Sequence, residues 1–108
     1  MRLSQAETDA ILVAVETHLL PSFRGMLFLF GSQVDDRAKG GDIDLLLVVE
    51  SLADLQNLKM VDYKMVAAMK MSPVIGDQKI DFQVVSLDES QKGFFSQALK
   101  KSIALKRW

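Results

Sequence analysis

The stretch Asp42-Ile-Asp-Leu-Leu-Leu-Val-Val49 decides how this sequence is interpreted. Its last five residues are all leucine or valine, which is typical of a buried β-strand. Asp42 and Asp44 are two positions apart, and side chains two apart on a strand project from the same face. The stretch therefore predicts a buried strand that presents two carboxylates at its start.

The residues before this strand predict a second strand and a sharp turn. Met26–Phe30 is a short apolar run, and it is followed directly by Gly31-Ser32. Glycine lets the backbone approach a ligand closely, while backbone N–H groups and a serine hydroxyl can hold phosphate oxygens. Residues 33–41 are polar and form a predicted loop. Gly31 and Ser32 are thus candidate phosphate-binding residues.

A third acidic residue lies on a later strand. Residues 79–85 alternate, with Ile80, Phe82 and Val84 on one predicted face and Asp81 on the other. If this strand lies beside the strand of Asp42 and Asp44, the three carboxylates converge. Carboxylates held together favour a hard divalent cation, Mg²⁺ or Mn²⁺, and three of them can hold two metal ions.

The remaining periodicity predicts helices on either side of these strands. Ser4 and Glu7 form a capping-box pattern that opens a helix, and Pro21 closes that helix. Residues 52–71 have apolar residues at helical spacing, and Ser72-Pro73 follows them.

The C-terminal part predicts one more helix. Asp88 and Gln91 are interpreted as its capping box, and it runs through Ile103 toward Lys106 and Arg107. The predicted order is α-β-β-α-β-α. It indicates one domain over residues 1–108, an α/β (α+β two-layer sandwich) fold with a small mixed sheet and helices packed on it.

Composition limits the classes of function. The chain of 108 residues has a net charge of −1, so global charge does not drive nucleic acid binding. It has no cysteine, which excludes disulfides, thiolate–zinc sites and cysteine nucleophiles. The longest apolar runs are too short to cross a membrane, and the first residues lack a signal-peptide pattern. We expect a soluble, cytoplasmic protein.

The spacing of these motifs resembles a known family. Phe30-Gly31-Ser32, nine further residues and then Asp42-Ile-Asp-Leu45 is similar to the signature of the DNA polymerase β-type nucleotidyltransferase superfamily. In element order the whole chain resembles its minimal nucleotidyltransferase branch, the antitoxin partners of HEPN-domain ribonuclease toxins. Members often have Arg after Gly-Ser and Ser before the first Asp, where this chain has Gln33 and Gly41.

The resemblance implies a minimal polymerase β-type fold and a role for each motif residue. Asp42 and Asp44 would bind both metal ions, and Asp81 would bind the catalytic metal and help to deprotonate the acceptor. Gly31 and Ser32 would hold the triphosphate. The implied reaction is Mg²⁺-dependent transfer of AMP from ATP to a hydroxyl, with tyrosine of a HEPN-domain toxin as acceptor and a hetero-oligomer as the working state.

Two alternatives remain at this point. The protein could be a non-catalytic antitoxin that neutralises its partner by binding, although a pure binder has no need for three repelling carboxylates. The acceptor could also be RNA or a small molecule. The near-neutral charge argues against RNA, and the short chain leads us to expect that another protein supplies the acceptor.

Overall fold

The computed structural model of the chain describes residues 3–31 and 42–108. The helices are Gln5–Glu16 (α1), Leu52–Met71 (α2), Leu87–Ser90 (α3) and Gly93–Lys100 (α4), and the strands are Gly25–Phe30 (β1), Ile43–Val49 (β2), Ile80–Ser86 (β3) and Ile103–Arg107 (β4). The strands form one sheet in the order β3-β2-β1-β4. β2 and β3 are parallel, and the other two pairs are antiparallel. This mixed sheet with helices packed on it confirms the predicted α+β fold.

Local capping explains where the two long helices begin. The Ser4 hydroxyl accepts a hydrogen bond from the Glu7 N–H at 3.1 Å, and the Ser4 N–H donates to Glu7 Oε1 at 3.0 Å. These two bonds are the predicted capping box, and α1 begins at Gln5, directly after Ser4. α1 ends earlier than predicted, with Thr17 rather than Pro21 at its end. α2 has the predicted bounds, between the caps Ser51 and Ser72.

The larger apolar core lies between one face of the sheet and the helices α1 and α2. Alternate residues of β2 enter it, and Ile43, Leu45 and Leu47 have no exposed surface. A smaller cluster lies on the opposite face, where Leu46 and Val48 pack together with apolar residues of α4. Burial on both sides explains the unbroken apolar run in β2, since strands covered on both faces lose the polar alternation.

The C-terminal prediction of one long helix is wrong beyond Lys100. α4 ends there, and Ile103–Arg107 forms the strand β4 against β1. The N–H of Trp108 donates to the Gly25 carbonyl at 2.9 Å, and the Gly25 N–H donates to the Trp108 carbonyl at 3.3 Å. These bonds satisfy backbone groups that a continued helix would leave unpaired at the edge of β1.

The predicted capping box at Asp88 and Gln91 is also wrong. The short helix α3 begins two residues earlier, because the Ser86 hydroxyl accepts a hydrogen bond from the Glu89 N–H at 3.0 Å. Asp88 instead lies in the first turn and pairs with Lys92. α4 then begins at Gly93, which has a positive φ of 53°.

None of the helices within residues 3–31 and 42–108 is long and apolar enough to span a membrane.

Candidate active site

The carboxylates of Asp42 and Asp44 lie at the start of β2. Ile43, between them, is fully buried in the larger core, so its neighbours on the strand are directed toward the opposite face. Asp42 is exposed and Asp44 is partly buried. The apolar residues of β2 therefore anchor the strand and leave the two acids at its polar end, as predicted from the sequence.

The parallel pairing of β2 with β3 brings Asp81 to the same place. In this register Asp44 is the direct partner of Asp81, and Ile43 is the partner of Ile80. The Ile43 N–H donates to the Lys79 carbonyl at 2.9 Å, which holds the two strand starts together. The sequence-based condition that these strands be neighbours in register is thus met.

The carboxyl group of Asp44 is partly buried and lies among like charges. Partial burial raises the pKa of the Asp44 carboxyl above its ordinary value of 3.8, and the nearby carboxylates of Asp81 and Asp42 raise the pKa further. The Lys79 ammonium offsets part of this effect on the pKa. The site thus concentrates negative charge on a rigid sheet, and a cation would relieve the repulsion.

Gly31 follows β1 and lies against Asp44. Its φ is +76°, a conformation that glycine adopts without the steric cost of other residues. A Cβ placed on Gly31 would be 3.1 Å from Cγ of Asp44 and closer still to its Oδ2. A side chain at this position would therefore displace the Asp44 carboxylate from where it lies. Ser32, the other candidate nucleotide-binding residue, lies outside the described residues, as do Gln33 and Gly41.

A cleft of about 490 Å³ borders the acids on the side of α2. Its lining comes from the start of β2, the middle of α2 and the start of β3, namely Asp42, Asp62, Tyr63, Val66, Lys79, Ile80, Asp81 and Phe82. Asp44 and Gly31 are not part of the lining. Asp42 and Asp81 therefore connect two surfaces, the carboxylate face of the sheet and the cleft beside it.

Three residues of this region, Asp62, Tyr63 and Lys79, were missed by sequence reasoning. Lys79 lines the cleft and acts on Asp44 electrostatically. Its position two residues before Asp81 was a usable signal, because the alternation predicted over residues 79–85 places both side chains on one face. Asp62 and Tyr63 have no such signal, since only the packing of α2 beside β3 brings their side chains into the cleft.

The arrangement fits a divalent cation that is bound together with a ligand. Within residues 3–31 and 42–108, no three acidic or histidine side chains are grouped closely enough to form a metal-ligand set by themselves. Mg²⁺ in proteins is commonly held by one or two carboxylates plus substrate phosphates and waters, so a complete protein cage is not required. The carboxylate oxygens present are the ligand type that this ion prefers.

Comparisons of the chain with models of known protein families and with curated proteins give no significant match.

Proposed function

We propose that this chain is a Mg²⁺-dependent nucleotidyltransferase that transfers AMP from ATP to a hydroxyl group of a partner protein. The observation that carries the proposal is the register of β2 and β3, in which Asp44 is paired directly with Asp81. Gly31 adds to it, because its bare backbone borders the Asp44 carboxylate at the end of β1. Carboxylates on adjacent strands beside a glycine turn suit a metal-bound polyphosphate.

Each candidate residue has a role in this proposal. Asp42 and Asp44 hold Mg²⁺, or Mn²⁺ in its place, and Asp81 contributes a further carboxylate on the acceptor side. Gly31 and Ser32 contact the triphosphate. When bound, the metal supplies positive charge that neutralises phosphate oxygens and lowers the pKa of an attacking hydroxyl. Without a cation, these carboxylates would repel the negatively charged nucleotide.

The proposed reaction is an in-line displacement. The acceptor hydroxyl oxygen forms a new bond to the α-phosphorus of ATP, and the bond between that phosphorus and the oxygen bridging to the β-phosphate breaks. Pyrophosphate leaves with the bridging oxygen. The hydroxyl proton passes to the Asp81 carboxylate and from there to water, because Asp81 is exposed and lies beside Asp44.

The partner in this proposal is a HEPN-domain toxin, modified on a tyrosine, with both proteins in the cytoplasm and associated as a hetero-oligomer. This part rests on the resemblance of the Gly31-Ser32 and Asp42-x-Asp44 motif to the minimal nucleotidyltransferase branch. Adding AMP to a toxin places a negatively charged phosphodiester and a bulky group near its RNA-cleaving site. Such a group repels RNA phosphates, so transfer neutralises the toxin.

Intact-mass measurement tests the transfer directly. The chain is incubated with the HEPN-domain protein encoded beside it, ATP and Mg²⁺, and the partner's mass is recorded. Whole AMP increments are expected, and the double variant Asp42→Asn/Asp44→Asn should abolish them. Asp9→Asn is the matched control, since Asp9 is an exposed acid on α1 that does not line the cleft. Increments that persist in the double variant would contradict the proposal.

A non-catalytic antitoxin is the rival function. A masking protein would neutralise the toxin equally well with and without Asp42 and Asp44. Toxin ribonuclease activity in the presence of the double variant therefore separates the two functions. AMP found on added RNA or on a small molecule, and not on the protein, would instead identify a different acceptor.

A further inference from the structure

The cleft beside the carboxylates passes around the outer edge of the sheet. Ile80 and Phe82 pack on the face of β3 that carries the larger core, and Asp81, between them in sequence, is directed toward the opposite face. One cleft is lined by all three residues, so it crosses the backbone of β3. An occupant of the cleft therefore contacts apolar side chains, strand backbone and the Asp81 carboxylate together.

β3 offers this occupant a row of backbone hydrogen-bonding groups. It is the outermost strand on its side of the described sheet and pairs there only with β2. The N–H and C=O groups that alternate toward its outer side therefore have no strand partner in the described sheet, and such an edge accepts an extended peptide as an additional strand. This geometry suits an extended polypeptide better than a compact small molecule.

The charged side chains of the cleft determine which sign of charge its occupant should carry. Among the described residues, Asp42, Asp62 and Asp81 place three carboxylates in its lining, and Lys79 places one ammonium there. Lysine and arginine side chains are attracted by this surplus, and the phosphates of RNA are repelled by it. The charge therefore favours a basic protein segment over a nucleic acid.

Tyr63 supplies an apolar contact on the opposite wall. It is 64% exposed, and it lies on α2 within one turn of Val66, which also lines the cleft. Exposed tyrosines contribute strongly to binding once a partner covers them, because the ring is large and loses little conformational entropy. The cleft thus combines an aromatic wall, an acidic lining and a free strand edge.

We propose that this cleft binds an extended, positively charged segment of a partner protein, added to the sheet as a strand beside β3. If the chain has the proposed function, the docked segment presents its acceptor hydroxyl at Asp81; this consequence rests on that function. Asp81 suits this role because it lies both in the cleft and beside Asp44. Docking then aligns the acceptor with the carboxylate face through backbone pairing, which explains how a strand edge without a deep pocket can position a protein substrate.

The binding step can be tested without nucleotide or metal. The probe is a short synthetic peptide with one tyrosine between lysines, and its counterpart has glutamates in place of the lysines. Backbone amide NMR signals of residues 79–83 and 62–66 are expected to shift with the lysine peptide and not with the glutamate peptide. A separate groove lies between α1 and α2 and is lined by residues that include Val13 and Met71. Equal binding of both peptides, or shifts confined to this groove, would overturn the proposal.

Matched variants make the test specific to the cleft. Asp62→Lys should weaken binding of the lysine peptide about tenfold, whereas Asp9→Lys makes the same charge change on an exposed position of α1 and should not. Tyr63→Ala should also weaken it about tenfold. Met60→Ala, which removes a 75% exposed side chain one turn earlier on α2, should leave binding intact. Equal effects of a cleft variant and its control would overturn the proposal.

The outcomes also separate this inference from the proposed function. Peptide binding at β3 with no AMP transfer to any protein would leave the docking cleft in place and refute the transferase. The opposite outcome is AMP transfer that continues at the wild-type rate in Asp62→Lys and Tyr63→Ala when the partner concentration is low. That result would leave the transferase in place and refute the docking cleft. Preferential binding of a single-stranded RNA over the lysine peptide would also refute it.

Discussion

The backbone of Gly31 lies directly against the carboxylate of Asp44, in a conformation with φ of +76° and in a space that a Cβ would fill. Phe30, the residue before Gly31, is the direct antiparallel partner of Asp44. The end of β1 and the acidic start of β2 are therefore coupled sterically. The glycine of the predicted phosphate-binding turn sets the space available to a predicted metal ligand.

Gly31→Ala should impair both folding and transfer. Alanine at a positive φ costs about 1 kcal/mol, and its methyl group would displace the Asp44 carboxylate. We expect transfer to fall by about 100-fold, because small displacements of reacting groups have effects of that size. Gly93→Ala is the matched control, since Gly93 also has a positive φ but nothing within 4 Å of its Cβ position. Urea unfolding should give similar stability losses, and AMP transfer should separate the two variants. Equal transfer rates would contradict this steric role.

Asp44→Asn should stabilise the protein when no divalent cation is present. The carboxylate of Asp44 is partly buried and faces the carboxylates of Asp81 and Asp42. Removing one of the opposed like charges should raise the free energy of unfolding by about 0.5–1 kcal/mol at neutral pH. Thermal unfolding in EDTA measures the gain, and Asp9→Asn on α1 should show none.

Adding Mg²⁺ with a non-hydrolysable ATP analogue should reverse this order. A ligand that binds only the folded protein raises its melting temperature, so the wild-type chain should gain more than Asp44→Asn. If Asp44→Asn were instead less stable than the wild-type chain in EDTA, the Asp44 carboxylate would not experience the repulsion assigned to it.

Glu16→Gln should destabilise the protein in a pH-dependent way. The hydrogen bond from Lys106 Nζ, at 2.6 Å, and that from Trp108 Nε1, at 3.1 Å, lower the pKa of Glu16 below its ordinary value of 4.5. A lowered folded-state pKa contributes stability above the unfolded value, and that contribution is lost as the pH falls through the folded value. Both charged side chains are partly exposed, so we expect a loss of about 0.5–1 kcal/mol at pH 7.

Urea unfolding across pH checks the prediction for Glu16. The difference between wild type and Glu16→Gln should shrink as the pH is lowered below about 4.5. Glu89→Gln is the control, since Glu89 lies 4.0 Å from Lys59 in an exposed pair and should contribute little. A difference that is constant with pH would indicate a packing effect and not an effect of the Glu16 charge.

Much of the site could be predicted because its signals are local. The spacing of Asp42 and Asp44 places them on one side of a strand, and the burial of Ile43 and Leu45 confirms which side is apolar. The alternation in β3 likewise separates Asp81 from Ile80 and Phe82. These features follow from the two-residue period of a strand and require no knowledge of its neighbours.

From the sequence, Asp44 and Asp81 could be expected to lie opposite each other only if their two strands were neighbours in the right register. Parallel strands need a crossover, here through α2, and several registers are compatible with the same alternation. The packing of α2 on β2 and β3 selects one of them. The contribution of Tyr63 to the cleft depends on the same packing and has no local signal.

By itself, the sequence determined the helices α1 and α2, the apolar strands β1 and β2 and the acidic end of β2, because capping and side-chain periodicity act over a few residues. Only the tertiary structure decided that Ile103–Arg107 forms a strand and not the end of a helix. Leu99 and Ile103 have helical spacing, while Ile103 and Leu105 also fit the period of a strand, so the local signals conflict. The unpaired edge of β1 resolves this conflict, because backbone hydrogen bonds to Gly25 and its neighbours become available only once the sheet has formed.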